Sequence, residues 1–232
     1  MKLFLNGGGC GKQTLLTYKE INKIINHSKP VLYVPLAIDE INHPYDSCYE
    51  WIKEEISMID IPNIEMVRTF EELANKDFNK YSLIYIGGGN TYKLLNGIKT
   101  MHTYDKLKEY IKNDGIVYGG SAGAVIFGKD INIIKVMDNN DVGIKDTSGF
   151  NYLNGMSLFV HYTNYKSKYT EEENKKLMEK YTNFIIDYTK ENEKVIAFPE
   201  EDTVFFDGKH IRVIGELPYY IFENGKKEKI EI

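Results

Sequence analysis

Apolar residues arrive in short unbroken runs through the first two-thirds of the chain. Leu3-Phe4-Leu5, Val31-Leu32-Tyr33-Val34, Leu83-Ile84-Tyr85-Ile86 and Ile116-Val117-Tyr118 have the pattern of strands covered on both faces. Ile64-Glu65-Met66-Val67 is a further strand candidate. Between these runs the apolar positions recur at helical spacing. Leu15, Leu16, Ile21, Ile24 and Ile25 mark one helix; Tyr49, Ile52, Ile56 and Ile59 mark another, entered near the capping residues Asp46-Ser47. Short helices fit around Tyr92 to Leu95 and Tyr104 to Lys112. This alternation predicts an α/β fold with a mostly parallel, doubly wound sheet and helices on both faces.

The last third changes character. A long helix is predicted from about Thr170, with Leu177, Tyr181, Phe184, Ile185 and Tyr188 on one face and Glu171, Glu172 and Glu173 at its positive end. Val195 to Phe198 is strand-like. Thr203 to Phe206, Asp207-Gly208 and Ile211 to Ile214 form a hairpin pattern, and Tyr219 to Phe222, Asn224-Gly225 and the charged tail form a second. No repeat, low-complexity segment or linker interrupts the chain, so residues 1–232 are expected to form a single α/β domain ending in C-terminal β-hairpins.

Composition removes several alternatives. A net charge of -5 with no basic stretch argues against a nucleic-acid partner. No apolar run approaches membrane-spanning length, and the apolar start is too short for a signal-peptide core, which together predict a cytoplasmic protein without a membrane partner. Cys10 and Cys48 are too few for a disulfide framework. The histidines are dispersed and no Cys-x-x-Cys occurs, so neither a metal nor a cofactor is expected.

The chemistry concentrates at Gly119-Gly120-Ser121-Ala122-Gly123. A Gly-x-Ser-x-Gly segment between an apolar strand and a helix start is a nucleophile elbow, in which small neighbours let the chain turn sharply and leave the serine at the apex. Ser121 is the candidate nucleophile. Such a serine needs a base and a group to orient that base. His161 ends the strand-like run Ser157 to Val160, where a sheet edge presents functional side chains, and is the candidate base. His27, His43, His102 and His210 sit in helix-end, loop or hairpin contexts. Asp138, Asp141 and Asp146 lie between Ser121 and His161 and compete, on sequence alone, to orient the imidazole. A second glycine cluster, Gly87-Gly88-Gly89-Asn90-Thr91, follows the strand Leu83 to Ile86. The N–H groups of Gly89 and Ala122 are the expected oxyanion donors. The first glycine cluster, Asn6-Gly7-Gly8-Gly9-Cys10-Gly11-Lys12-Gln13, fails as a phosphate loop. Asparagine stands where the first glycine belongs, and glutamine where the magnesium-binding hydroxyl belongs. Its glycines instead let the first strand turn beside the active end of the sheet.

With these residues assembled, the chain resembles the peptidase E family of serine exopeptidases, cytoplasmic aspartyl dipeptidases on a fold related to class I glutamine amidotransferases. The resemblance rests on Ile84 to Thr91, the elbow Gly120 to Ala124, the segment Asn140-Asp141 to Gly149-Phe150, His161-Tyr162-Thr163-Asn164 and Phe198-Pro199-Glu200, all in the family's order. It implies Ser121 as nucleophile, His161 as base and Asp141 as third member, with Glu200 a competing acid, and a short peptide or small amide as substrate. A homodimer is left open. Related readings are cyanophycinase-like hydrolysis and an inactive relative that binds a small ligand or peptide. Two departures bear on specificity. Gly120 stands where the family's elbow often has an aromatic residue, which predicts a roomier pocket. Glu171, Glu172 and Glu173 occupy the stretch where relatives carry acid-binding arginine, which predicts that an aspartyl dipeptide is a poor substrate.

Overall fold

The computed structural model describes residues 1–191 and 193–232. Strand β1 (Lys2–Asn6) leads through a single 3-10 turn into helix α1 (Leu15–Ile24); β2 (Val31–Val34), α2 (Tyr45–Glu55), β3 (Ile64–Met66), α3 (Phe70–Asn75) and β4 (Leu83–Ile86) follow. Helices α4 (Thr91–Thr100) and α5 (Thr103–Lys112) precede β5 (Ile116–Gly120) and the short α6 (Ala122–Val125). The remainder comprises β6 (Met156–Phe159), α7 (Glu171–Tyr188), β7 (Lys194–Ala197), β8 (Thr203–Phe206), β9 (Ile211–Ile214), β10 (Tyr219–Glu223) and β11 (Lys226–Ile230).

The main sheet has the order β3-β2-β4-β5-β1-β8-β9, parallel from β3 to β1 and closed by the antiparallel hairpin β8–β9. Successive side chains of a strand point to opposite faces, and here both faces are buried. Leu3, Leu5, Leu32, Val34, Ile84, Ile86 and Val117 enter one core; Phe4, Val31, Tyr33, Leu83, Tyr85 and Tyr118 enter another. That two-sided burial explains why these strands read as unbroken apolar runs. The expected α/β architecture, a mostly parallel sheet with helices, is present.

Two features depart from the expected arrangement. The C-terminal hairpins do not extend one sheet: β8–β9 joins the main sheet, whereas β10–β11 joins β7 and β6 in a second, four-stranded sheet of order β11-β10-β7-β6. In α1 the inner face is Thr17, Tyr18 and Ile21, while Leu15, Leu16 and Ile24 are exposed. The Tyr18 ring reaches the core and its hydroxyl reaches Glu55, so it outcompetes the leucines for the inward stripe. The long helix α7 behaves as expected. Thr170 and Glu173 close a capping box at its start, and Tyr181 and Ile185 are buried in the core shared with the second sheet.

Candidate active site

Strand β5 lies between β4 and β1, and all three point their C-terminal ends at one edge of the sheet. Ser121 follows β5 immediately, with φ 52 and ψ -114, in the left-handed half of backbone space that a non-glycine residue enters only under constraint. The constraint is visible at Gly123, where a Cβ would run into the Ile86 carbonyl. Only a residue without one lets α6 start this close to β4, and that approach fixes the serine at the apex.

The serine has the partners that hydrolysis needs. Ser121 Oγ lies 2.8 Å from His161 Nε2, and His161 Nδ1 lies 2.7 Å from Glu200 Oε1. A serine hydroxyl, an imidazole bonded through both nitrogens and a carboxylate form a continuous relay. His161 lies one residue beyond the end of β6, after Val160, and also has positive φ, at 56°; Glu200 lies in the connection from β7 to β8. Ser121 and His161 are thus brought together as the sequence predicted. Asp141 is not part of this contact. It is exposed, borders the cavity beside Ser121, and has no side-chain hydrogen bond among the described residues. Its loop is held along α4 instead: Asp138 accepts from the Thr91 N–H at 2.8 Å at the start of that helix, and Asp146 pairs with Lys99 near its end. The acid that meets His161 is Glu200.

Residues that the sequence pattern does not single out hold Glu200. The buried Asn6 side chain donates to the carbonyls of Glu200 and Asp202 and to Thr203 Oγ1, and accepts from Gly8 N–H at 2.8 Å. Gly9 N–H donates to the Glu200 carbonyl at 2.9 Å. Asn164 Oδ1 accepts from Glu200 N–H at 2.7 Å. Each such bond stabilises by about 1 kcal/mol, and leaving its buried partners unmet costs about 1–3 kcal/mol. The only sequence signal for Asn6 was negative, since it is the residue that breaks the phosphate-loop pattern.

The loop after β4 faces the serine from the other side. A Cβ on Gly88 would sit 3.1 Å from Ser121 Cβ and 3.6 Å from its Oγ, so Gly88 is the loop residue beside the nucleophile. Gly89 packs against Ala37, whose carbonyl accepts from Asn90 N–H at 2.9 Å. The N–H groups of Gly88 and Gly89 have no acceptor among the described residues, and that of Ala122 opens α6, where no preceding turn supplies one. A cavity of about 1080 Å³ opens here between the two glycine loops and the start of α2. Glu171, Glu172 and Glu173 do not border it. They are exposed at the start of α7, where Glu173 accepts from Thr170 N–H, so the charge repulsion expected from them has no structural basis.

Next to Glu200, Asp202 is fully buried, and neither carboxylate oxygen has a hydrogen-bond partner within ordinary geometry among the described residues. Burial pushes its carboxyl up to about 7, with the nearby Glu216 and Leu217 N–H groups opposing the rise. Among the described residues no cluster suited to a metal ion occurs, and no helix is long and apolar enough to cross a membrane.

Known proteins resemble this chain in sequence and in fold. The sequence profile of peptidase family S51 matches residues 3–214. Peptidase E of Pasteurella multocida (strain Pm70) is 27% identical over 197 residues, covering 84% of this chain and 78% of that protein. Peptidase E of Shewanella denitrificans (strain OS217) is 24% identical over 216 residues, covering 91% and 85%. A 1.5 Å crystal structure of a Listeria monocytogenes EGD-e protein superposes with a TM-score of 0.69 at 21% identity, over 92% of this chain and 98% of that one, which confirms the fold. The match across nearly the whole chain, on a fold that sets a serine at a strained elbow, makes this chain a member of peptidase family S51, a serine-type peptidase.

Proposed function

We propose that the protein hydrolyses short peptides through a Ser121–His161–Glu200 triad. The observation that carries this reading is the pair of contacts at 2.8 and 2.7 Å linking the three side chains in order. Ser121 Oγ attacks the scissile carbonyl while His161 Nε2 takes its proton; His161 then returns that proton to the leaving amine. Glu200 accepts from His161 Nδ1–H, which leaves Nε2 free as the base and steadies the imidazolium that forms. The N–H groups of Ala122 and of the Gly88–Gly89 pair stabilise the oxyanion. Water hydrolyses the acyl-enzyme by the same steps. None of these steps draws on a cofactor.

The experiment is labelling with a fluorophosphonate, which bonds only to an activated serine. Wild-type protein should label at Ser121, Ser121→Ala should not label, and His161→Ala should label far more slowly. A wild-type protein that fails to label would leave an inactive, ligand-binding relative as the better description.

A further inference from the structure

We propose that the cavity beside Ser121 is a subsite for a large aromatic side chain on the residue whose carbonyl is attacked. The inference rests on the hydrolytic reading above and names the substrate class of that site. The first support is the wall itself. Tyr33, Trp51 and Tyr85 all border the cavity, with ring centroids 6.4, 5.6 and 6.3 Å apart and interplanar angles of 45°, 73° and 77°. Edge-on and tilted rings at these separations are the arrangement that aromatic groups prefer; Tyr33 and Tyr85 are buried behind Trp51, which presents the exposed ring. Tyr85 is backed by Tyr118, stacked at 4.4 Å, so the wall is assembled before any substrate enters. A preassembled wall avoids the entropy cost of ordering side chains on binding.

Trp51 is the chain's only tryptophan, is 39% exposed and borders the cavity, so its indole face is open to a bound ring. Tyr33 is buried, yet its hydroxyl has no hydrogen-bond partner among the described residues; a Cβ on Gly87, in the oxyanion loop, would lie 3.6 Å from it. It offers one polar handle close to the reacting carbonyl. The cavity is continuous with Gly88 and Ser121, so it lies within a bond or two of the attacked carbon.

The charges favour a neutral side chain over an acidic one. Asp39 and Asp141 both border the cavity. Lys93 is the lysine on its wall, where its ammonium donates to the Ile38 carbonyl, and His43 also borders it. The chain's arginines, Arg68 and Arg212, are elsewhere, paired with Asp46 and Glu20. A substrate carboxylate would therefore meet two carboxylates against one lysine, with no arginine for a bidentate pair.

Trp51 makes binding directly readable. Ser121→Ala protein, titrated with Phe-Ala, Ala-Ala and Asp-Ala, should bind Phe-Ala about tenfold or more tighter than the others, with a change in tryptophan emission. In active enzyme kcat/KM should fall in the order Phe-Ala, Ala-Ala, Asp-Ala, and Trp51→Leu should collapse the Phe-to-Ala ratio toward one. Equal or tighter binding of Asp-Ala, or Phe-Ala binding that leaves Trp51 emission unchanged, would overturn the inference while Ser121 labelling by fluorophosphonate still upheld the hydrolytic reading. Loss of that labelling in wild-type protein would remove both.

Discussion

The Gly7–Gly9 loop and the Gly87–Gly89 loop follow β1 and β4, the two neighbours of β5, and both end beside Ser121. Their surroundings differ. The first is packed against the base and the acid: a Cβ on Gly8 would run into the His161 ring, and Gly9 donates to the Glu200 carbonyl. The second leaves the N–H groups of Gly88 and Gly89 without a partner among the described residues and borders an open cavity. Glycine serves two purposes here. In one loop it lets another side chain approach; in the other it leaves backbone N–H groups open to the cavity. Composition alone makes the two loops look alike, and only their neighbours separate them.

The largest expected effect tests which acid the first loop holds. Glu200→Gln should lower kcat on a short peptide by roughly ten-thousandfold, the loss seen when the orienting acid of a serine triad becomes an amide. Asp141→Asn should lower it only a few-fold, because Asp141 borders the cavity and does not meet His161. The reverse ranking would break the assignment of acid-holding to the first loop.

A glycine contrast within that loop sharpens the same point. Gly8→Ala should cost about a hundredfold in turnover, since a displacement near 1 Å at a catalytic group has that effect. Gly11 is also at positive φ, but a Cβ there would meet nothing within 4 Å. Gly11→Ala should therefore reduce stability slightly and leave turnover close to wild type. Equal losses in both variants would mean that loop strain, and not the His161 contact, explains the glycine at position 8.

The smallest effect is on stability alone. Asp202 lies on the segment bonded to the first loop, through Gly7 N–H to its carbonyl at 3.0 Å. Its carboxyl titrates at about 7 in the folded protein and near 4 when unfolded. Over that interval the folded state binds more protons, so stability falls as pH rises from about 4 to about 7 and is flat above. Asp202→Asn should therefore melt higher than wild type at pH 8, with the advantage fading by pH 5. Thermal unfolding at the two pH values checks this; an unchanged difference would show that burial of Asp202 carries no titration.

Much of this architecture was legible in the sequence. Two-faced burial wrote the parallel strands as unbroken apolar runs, and the elbow's small residues marked Ser121. His161 was legible because it terminates a strand-like run. The acid beside His161 was legible only as a choice between Asp141 and Glu200. The spacing around Asp141 is a property of a loop, whereas Glu200 reaches His161 because the chain crosses between β7 and β8, two strands of different sheets. No local pattern encodes that crossing. Asn6 shows the same limit: as a mismatch to a phosphate loop it could be dismissed, yet its amide ties the first glycine loop to the acid's backbone. The α1 leucines show a third, since helical spacing allows more than one inward stripe and Tyr18 decided which one packs.

The crossing also has a consequence for biosynthesis. On the proposed triad, the nucleophile Ser121 belongs to the main sheet, while the base His161 follows β6 and the acid Glu200 follows β7, both in the smaller sheet. A ribosome that has released the elbow has not yet made residue 200. The emerging chain therefore carries an unarmed serine, and so does any later fluctuation that lifts the smaller sheet away. On the proposed triad, hydrolysis requires the two sheets to be docked against each other.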